Sequence, residues 1–476
     1  MNKAGIAAVA LVALAAAGSA GAWYTGTQLE GVLQKNIEET NEQFRTEYPG
    51  SDLALELVNF ERGIFSSQAR YRLVLAEGEE ETMDLLFSSD IQHGPMPLSR
   101  LVRFKWLPVM AVMDTQLESS DMVEGVFAAS GGKSPVTALT TLGYGNGVHG
   151  TLNMAPLTWS VPGYFSLSFS GFSGDFDTNR AGDFIVMDGR VDSLEMSFGS
   201  EVEQLQAMNL VGWDMDVNRK RDAVSGLYLG TSRAELDQFS VVMADLSTLV
   251  FNDMVQSDLT SLESDGLSAA MKYRIGAINY GADKLGSMGL DFSVSRINPQ
   301  AVVELSRLYN ELIFSLGDGF PEQARFDELD EALNRLLEDG PQLTLNNFVL
   351  KTANGESRLN LGVGLGQLNE TGLTLSEAEL EDVIQTLDAK LVLSKPMIRD
   401  VVGYRALFDA SVDKSTAEQE AAMAAEMAGA MAEMLQLGKV EGDNITSQLS
   451  YANGAVTFNG KAMELEELME LMAGLQ

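Results

Sequence analysis

The chain contains no cysteine. That absence removes disulfides, thiolate metal sites and thiol nucleophiles together. It leaves the compartment open, since an exported protein can use disulfides but need not. Histidine is almost as scarce: His93 and His149 are the whole supply. A histidine-rich metal site or a histidine-driven hydrolase therefore has little to draw on. Positive charge is the third shortage. Lys and Arg number 32 against 68 Asp and Glu, a formal charge of −36. Such a field repels phosphate backbones and anionic lipid surfaces, so no nucleic acid partner is expected. Its plainest consequence is solubility.

What is present points to a folded body. The apolar fraction is 45%, ordinary for a globular chain and too high for disorder. At 476 residues there is room for roughly two to four domains, or for one long β-rich body. Lys3 supplies a positive start, and residues 4–22 then carry no charge. At about 1.5 Å per residue, a helix of that length just covers a hydrocarbon core of roughly 30 Å. The run fits an export segment in either of two ways. Ala20, Gly21 and Ala22 form a small-x-small cleavage pattern, which makes it a removable signal peptide. Alternatively it stays as an anchor with Lys3 on the inner side and Trp23 and Tyr24 at the outer interface. Ten of its nineteen residues are alanine, which makes a weak anchor. The aromatic pair favours retention. A helical pattern continues to about Tyr48 as a stalk, ended by Pro49 and Gly50.

From residue 53 to about 295 the pattern is mostly strands separated by glycine and asparagine turns. Residues 164–169, 193–198 and 238–243 alternate most clearly, as strands do with one packed face and one wet face. A strand, turn and strand are centred on Arg62 and Gly63. Residues 97–113 are the exception, apolar and broken by Pro108. The second half mixes strands with helices. Residues 288–297 read as a strand leading into a helix opened by Pro299, and Pro321 opens another helix to about Glu338. Asn354 and Gly355 mark a hairpin. Residues 375–387 read as a helix with a capping box of Thr374 and Glu377. A strand at 389–394 precedes a helix near Pro396. Strand followed by proline-opened helix thus occurs near 290–312 and again near 389–409, which suggests an internal duplication. Residues 414–437 form a helix on which Met423, Met427, Met431 and Met434 share a stripe, expected as flexible core packing. A hairpin across Asn453 and Gly454 and a helix at 465–472 end the chain.

Chemical motifs were tested one by one. Gly132, Lys133 and Ser134 resemble a phosphate loop, but Phe127 stands where its first glycine belongs. Ser130 and Lys133 fit Ser-x-x-Lys without the companion motifs of penicillin-recognising enzymes. Asp175, Asp177 and Asn179 begin like a calcium loop. Arg180 then replaces the turn glycine and Val186 the bidentate glutamate. Asp214 and Asp216 share one face of a strand, which a chain so rich in acids produces by chance. Residues 143–150 hold four glycines and His149, as a turn would. Arg219, Lys220 and Arg221 form a basic cluster at a hairpin tip, where docking to an acidic partner or a lipid headgroup is the alternative to simple solvation. No catalytic residue, cofactor-binding residue or metal ligand is assigned.

Four segments carry a resemblance: residues 21–30 (GAWYTGTQLE), 59–68 (NFERGIFSSQ), 93–97 (HGPMP) and 449–460 (LSYANGAVTFNG). Together they resemble the YdgA-like family of bacterial envelope proteins, a family of unknown function (domain of unknown function 945). The resemblance implies inner-membrane association and a periplasmic body, and it brings no catalytic residues with it. Locally, Arg62 and Gly63 make a turn, and His93 before Gly94 and Pro95 is expected to cap another.

The expected fold is α+β: a long, twisted, largely antiparallel β-sheet with helices concentrated in the C-terminal half, preceded by an N-terminal export or anchor helix. Residues 1–22 are the signal-anchor or signal peptide, 23–50 the stalk, 51–295 a mainly β body, and 296–476 an α+β part completing the same body. A long sheet leaves an apolar face that helices, a second copy or lipid must cover. The expected protein is non-enzymatic, anchored in the bacterial inner membrane by one N-terminal segment, with its bulk in the periplasm. It would act through surfaces, as an assembly or lipid-handling factor with a lipid or envelope protein as partner. The alternatives are a self-associating scaffold without a small ligand and, third, an envelope hydrolase. No cofactor is expected.

Overall fold

Alternation drives most of the chain into strands, and short polar turns pair each strand with its successor. β1 (Ala54–Arg62), β2 (Ser66–Glu77), β3 (Glu81–His93), β4 (Ala111–Leu117), β5 (Val136–Leu142) and β6 (Gly147–Met154) form an antiparallel meander. β7 (Leu157–Val161) and β8 (Phe165–Phe169) make a hairpin. β8 and β9 (Phe172–Asn179) lie end to end along β10 (Phe184–Phe198), and β9 also pairs with β6. Long strands follow in order: β11 (Leu205–Arg221), β12 (Tyr228–Met243), β13 (Thr248–Glu263), β14 (Gly266–Tyr280) and β15 (Asp283–Ile297). β16 (Gln342–Lys351), β17 (Glu356–Leu365) and β18 (Ile384–Ser394) continue the sheet. β19 (Lys439–Glu441), β20 (Asn444–Ala452), β21 (Ala455–Phe458) and β22 (Lys461–Met463) finish it, with β20 against β18. Every pairing among the described residues is antiparallel, and the sheet is open, with β1 and β22 at its edges.

This computed structural model describes residues 3–47, 53–77, 81–199, 205–315, 323–366, 383–409, 411–452, 454–464 and 467–468, without the side chains of residues 3–21, 43, 46–47, 75–77, 81–83, 310–315 and 323–327. Helices α1 (Lys3–Glu47), α2 (Leu98–Val102), α3 (Glu124–Ala129), α4 (Pro299–Ser315), α5 (Gln323–Leu337), α6 (Lys395–Gly403), α7 (Arg405–Phe408) and α8 (Lys414–Met434) complete the α+β fold. The proline-opened helices stand where expected: Pro299 begins α4, and Pro396 follows the Ser394 cap of α6. Pro321, the Thr374 and Glu377 capping box and most of the terminal helix at 465–472 lie outside the described residues.

Three expectations are corrected. Residues 384–387 are the start of β18, not the end of a helix. Placement between β17 and β20 overrides their helical spacing. The methionine stripe of α8 does not pack inward: Met423, Met427, Met431 and Met434 are all exposed. Ala417, Ala421, Ala425 and Gly429 are the buried face, because small side chains let α8 lie close to α6. The stretch read as a stalk is docked on the sheet. Ala22, Thr25, Leu29 and Leu33 form a buried stripe at helical spacing, with Leu29 at 0% exposure.

That stripe organises the main core. Leu29 and Leu33 pack with Ala69, Tyr71, Ile91, Met110, Ala111 and Leu142 from the first five strands and their connections. Asn41 closes the far end, its side chain accepting from and donating to the Leu55 backbone at 2.8 and 2.9 Å. The long strands differ. β13 lies in the interior of the sheet, yet none of its 16 residues is buried. Along β13, then, neither sheet face carries a buried side chain.

One row crosses those strands. Pairing skips Asp192 opposite Gly212, Gly212 opposite Asp237, Asp237 opposite Asp253, and Asp253 opposite Gly276. Gly212 and Asp253 have left-handed backbone, φ 66° and 52°. A Cβ at Gly212 would collide with the Asp237 carboxylate, so glycine is required there. The apolar alternation changes phase at the same row: Met208 and Leu210 precede Gly212, and Trp213, Met215 and Val217 follow it. An unbroken pleat would send those two sets to opposite faces.

Candidate functional site

His93 ends β3 and sits where three of the four quoted segments meet. Its backbone N–H donates to the Phe65 carbonyl at 2.9 Å, and its side chain is buried. The ring Nδ1 lies 3.2 Å from the Ile64 carbonyl and Nε2 lies 2.8 Å from the Ser67 hydroxyl. A carbonyl can only accept, so in the neutral ring Nδ1 carries the hydrogen and Ser67 donates to Nε2. From the helix side Gly26 closes the ring off: a Cβ there would fall 2.5 Å from Cε1. Beside it, Thr25 shares a 3.1 Å hydrogen bond with the Tyr144 hydroxyl. Gly94 then runs so close to Val109 that any side chain would strike the Val109 carbonyl. The Gly94 N–H donates to the Met110 carbonyl at 2.7 Å, and the Met110 N–H to the Leu142 carbonyl at 2.8 Å.

Burial holds the His93 imidazole below its ordinary value of 6.5, with Arg62 adding to that, while the carbonyls of Ile64 and Ala22 oppose it. Burial likewise pushes the Tyr71 phenol up to about 12, and its hydroxyl has no hydrogen-bond partner among the described residues. A serine hydroxyl bonded to an imidazole is the geometry of an activated nucleophile. Here both partners are buried, the second ring nitrogen meets a backbone carbonyl instead of a carboxylate, and Gly26 covers the ring face. The pair links β2 to β3, and the ring it fixes is the clasp against which Gly26 of α1 packs. The sequence offered no nucleophile–base pair, and this one was missed because its members are 26 positions apart on different strands. The expected turn cap is also corrected: the His93 ring binds two partners on the β1–β2 connection and on β2, not its own turn.

The other sequence candidates disperse. Asp175, Asp177 and Asn179 lie on β9 and bind Thr151, His149 and Asp183 in turn, so no calcium loop forms. Asp214 pairs with Arg190 at 2.6 Å. Ser130 bonds the Phe127 and Lys133 carbonyls at the end of α3. The basic cluster ends β11 and is partly neutralised: Arg219 pairs with Asp258, and Arg221 bonds the Gly226 carbonyl at 3.2 Å. Among the described residues no group of three or more His, Asp and Glu is placed to hold a metal ion. A shallow trough of about 740 Å³ crosses β10 to β14. Its lining mixes Val186, Val217 and Leu259 with Asp216, Arg233 and Lys272.

A family model described as bacterial protein of unknown function (DUF945) matches residues 1–466. Protein YdgA of Escherichia coli K12 is 27% identical over 492 aligned positions, covering 99% of this chain and 97% of that protein. The uncharacterized protein YihF of the same organism is 24% identical and covers 94% of each chain. An uncharacterized protein of Haemophilus influenzae is 29% identical over 33% of this chain and 42% of its own. No solved structure matches.

Proposed function

We propose, from the premise that this chain belongs to the DUF945 family of bacterial proteins of unknown function, that it is an inner-membrane-anchored envelope protein whose periplasmic body acts by binding along its open sheet. The uncovered state of β13 carries this reading. An interior strand with no buried side chain is a surface awaiting a cover, and large open apolar area marks interaction sites. An acyl chain lying along the long strands is the leading cover, which makes the protein a lipid-handling or assembly factor. The charged residues in the trough, Asp216, Arg233 and Lys272, favour the second reading, a self-associating scaffold with paired sheets. Anchoring rests on the charge-free residues 4–22, of which 4–21 have side chains outside the described set. Among the described residues no helix is long and apolar enough to cross a membrane.

Native mass spectrometry of the full chain, released from membranes in mild detergent, tests the reading. Monomers retaining lipid mass support lipid handling. Lipid-free dimers support the scaffold. A bare monomer overturns both.

A further inference from the structure

Between Asp90 and Asp114 the chain carries no acid, although it holds 68 elsewhere, and that stretch contains Arg100, Arg103 and Lys105. Its centre, residues 96–108, is a constructed loop. The Val109 N–H donates to the Pro95 carbonyl at 3.1 Å, and the Ser99 N–H to the Gln92 side chain at 3.0 Å. The N–H groups of Phe104 and Lys105 return to the carbonyls of Leu101 and Arg100 at 3.1 and 2.9 Å. Despite this order, Leu98, Val102, Phe104, Trp106 and Leu107 all face solvent, Phe104 at 78% and Leu107 at 77% exposure. Phe104 holds a left-handed backbone, φ 56°, which a bulky residue adopts only when its surroundings impose it.

The neighbours share this character. His93, three residues before the loop, bonds the β1–β2 turn, where Ile64 and Phe65 are exposed, and its ring lies against Gly26 of α1, three residues after the exposed Trp23. From Trp23 the helix runs one way along the sheet through Leu29 and Leu33, and the other way into the charge-free residues 4–22. The stem of the apolar loop is therefore joined through His93 to the turn of α1 that follows the charge-free run. Apolar and aromatic side chains interspersed with bases are the composition that settles at a headgroup boundary.

We propose that residues 96–108 dock on an anionic lipid surface, with Phe104, Trp106 and Leu107 entering the headgroup boundary and the exposed Arg103 and Lys105 meeting lipid phosphates, while Arg100 braces the loop through the Leu107 carbonyl at 3.4 Å. Charge selects this occupant. A body of charge −36 is repelled by such a surface everywhere except at an acid-free cationic patch. The proposal goes beyond membrane anchoring, because the loop's contact and the N-terminal segment's insertion are separable.

The chain's lack of cysteine lets one nitroxide be placed at will. Phe104→Cys and, as control, Leu246→Cys on the β12–β13 turn at the opposite edge of the sheet would be labelled in the full chain and reconstituted into phosphatidylcholine vesicles with or without about 30% phosphatidylglycerol. At position 104 collision with a water-soluble nickel chelate should fall by about fivefold or more in the anionic vesicles, while position 246 stays accessible. Adding Arg103→Gln and Lys105→Gln should restore access at 104 while the protein still sediments with vesicles. Equal access at both positions in a vesicle-bound protein overturns loop docking and leaves anchoring standing; failure to sediment overturns anchoring instead. Shielding with dipolar broadening that vanishes on dilution with unlabelled chain assigns the loop to a second copy and overturns the lipid assignment.

Discussion

The first five strands and the long strands β10 to β15 obey the same alternation yet live in different environments. Over the former lies α1, and the result is a closed cluster around Leu29, Tyr71 and Ile91. No residue of β13 is buried, and on both faces its side chains are partly or fully exposed. The long strands are held by their ladders and by cross-strand ion pairs such as Arg190 with Asp214 and Arg219 with Asp258. Exposed pairs of this kind contribute about 0–1 kcal/mol each. Sheet formation and core formation are thus separate achievements in this chain, and one helix makes the difference.

The comparison can be broken most severely at the far end of the sheet. Removing everything after Asp443 deletes β20, whose neighbours are β18 and β21, and with it buried Ile445, Val456 and Phe458. Each such side chain is worth about 1.5–3 kcal/mol, so the product should aggregate or be proteolysed. A soluble product as heat-stable as the full chain would show that these strands are an appendage. Next in size is Leu29→Ala, expected to cost about 2–5 kcal/mol in denaturant unfolding. Leu259→Ala on β13, half exposed, should cost under about 1 kcal/mol. Equal costs would erase the distinction between covered and open sheet. Ala421→Leu should cost about 1–3 kcal/mol by forcing α8 away from α6, whereas Met427→Leu, at 59% exposure, should fall within about 0.5 kcal/mol of the parent.

The smallest effect is a pH dependence confined to the covered region. Burial lowers the His93 value in the fold, so its contribution is complete above the unfolded value of 6.5 and is lost as pH falls through the folded one. The helix clasp should loosen as pH falls below 6.5, seen as faster amide exchange in α1 near Gly26, and His93→Gln should flatten that dependence. Unchanged exchange in the parent protein would remove His93 from the clasp's energetics.

Much of the fold was legible because it is local. The alternation at 193–198 and 238–243 became parts of β10 and β12, and Asn354 with Gly355 turned between β16 and β17. Residues 384–387 were misread because their helical spacing is overruled by two neighbouring strands. The α8 stripe was misread because hydrophobicity alone points to methionine, while close helix packing selects alanine and glycine. The site was legible only as segments. Gly26, Ser67 and His93 each lie in a quoted motif, but their meeting is a tertiary event with no local trace. The basic loop escaped notice because Arg100, Arg103 and Lys105 are not adjacent.

The interrupted row from Asp192 through Gly212, Asp237 and Asp253 to Gly276 has a mechanical meaning. A pleated sheet behaves like corrugated board, stiff along its corrugations. Where the corrugation stops at one level in five successive strands, the board is scored. Bending compliance then gathers on that line, and the panels on either side swing about it as rigid leaves. Paired spin labels on opposite sides of the row, at Met208 and Asp216 on β11, would show a broader distance distribution than labels an equal number of residues apart on one side of it, at Val255 and Glu263 on β13, and a bound cover would narrow it.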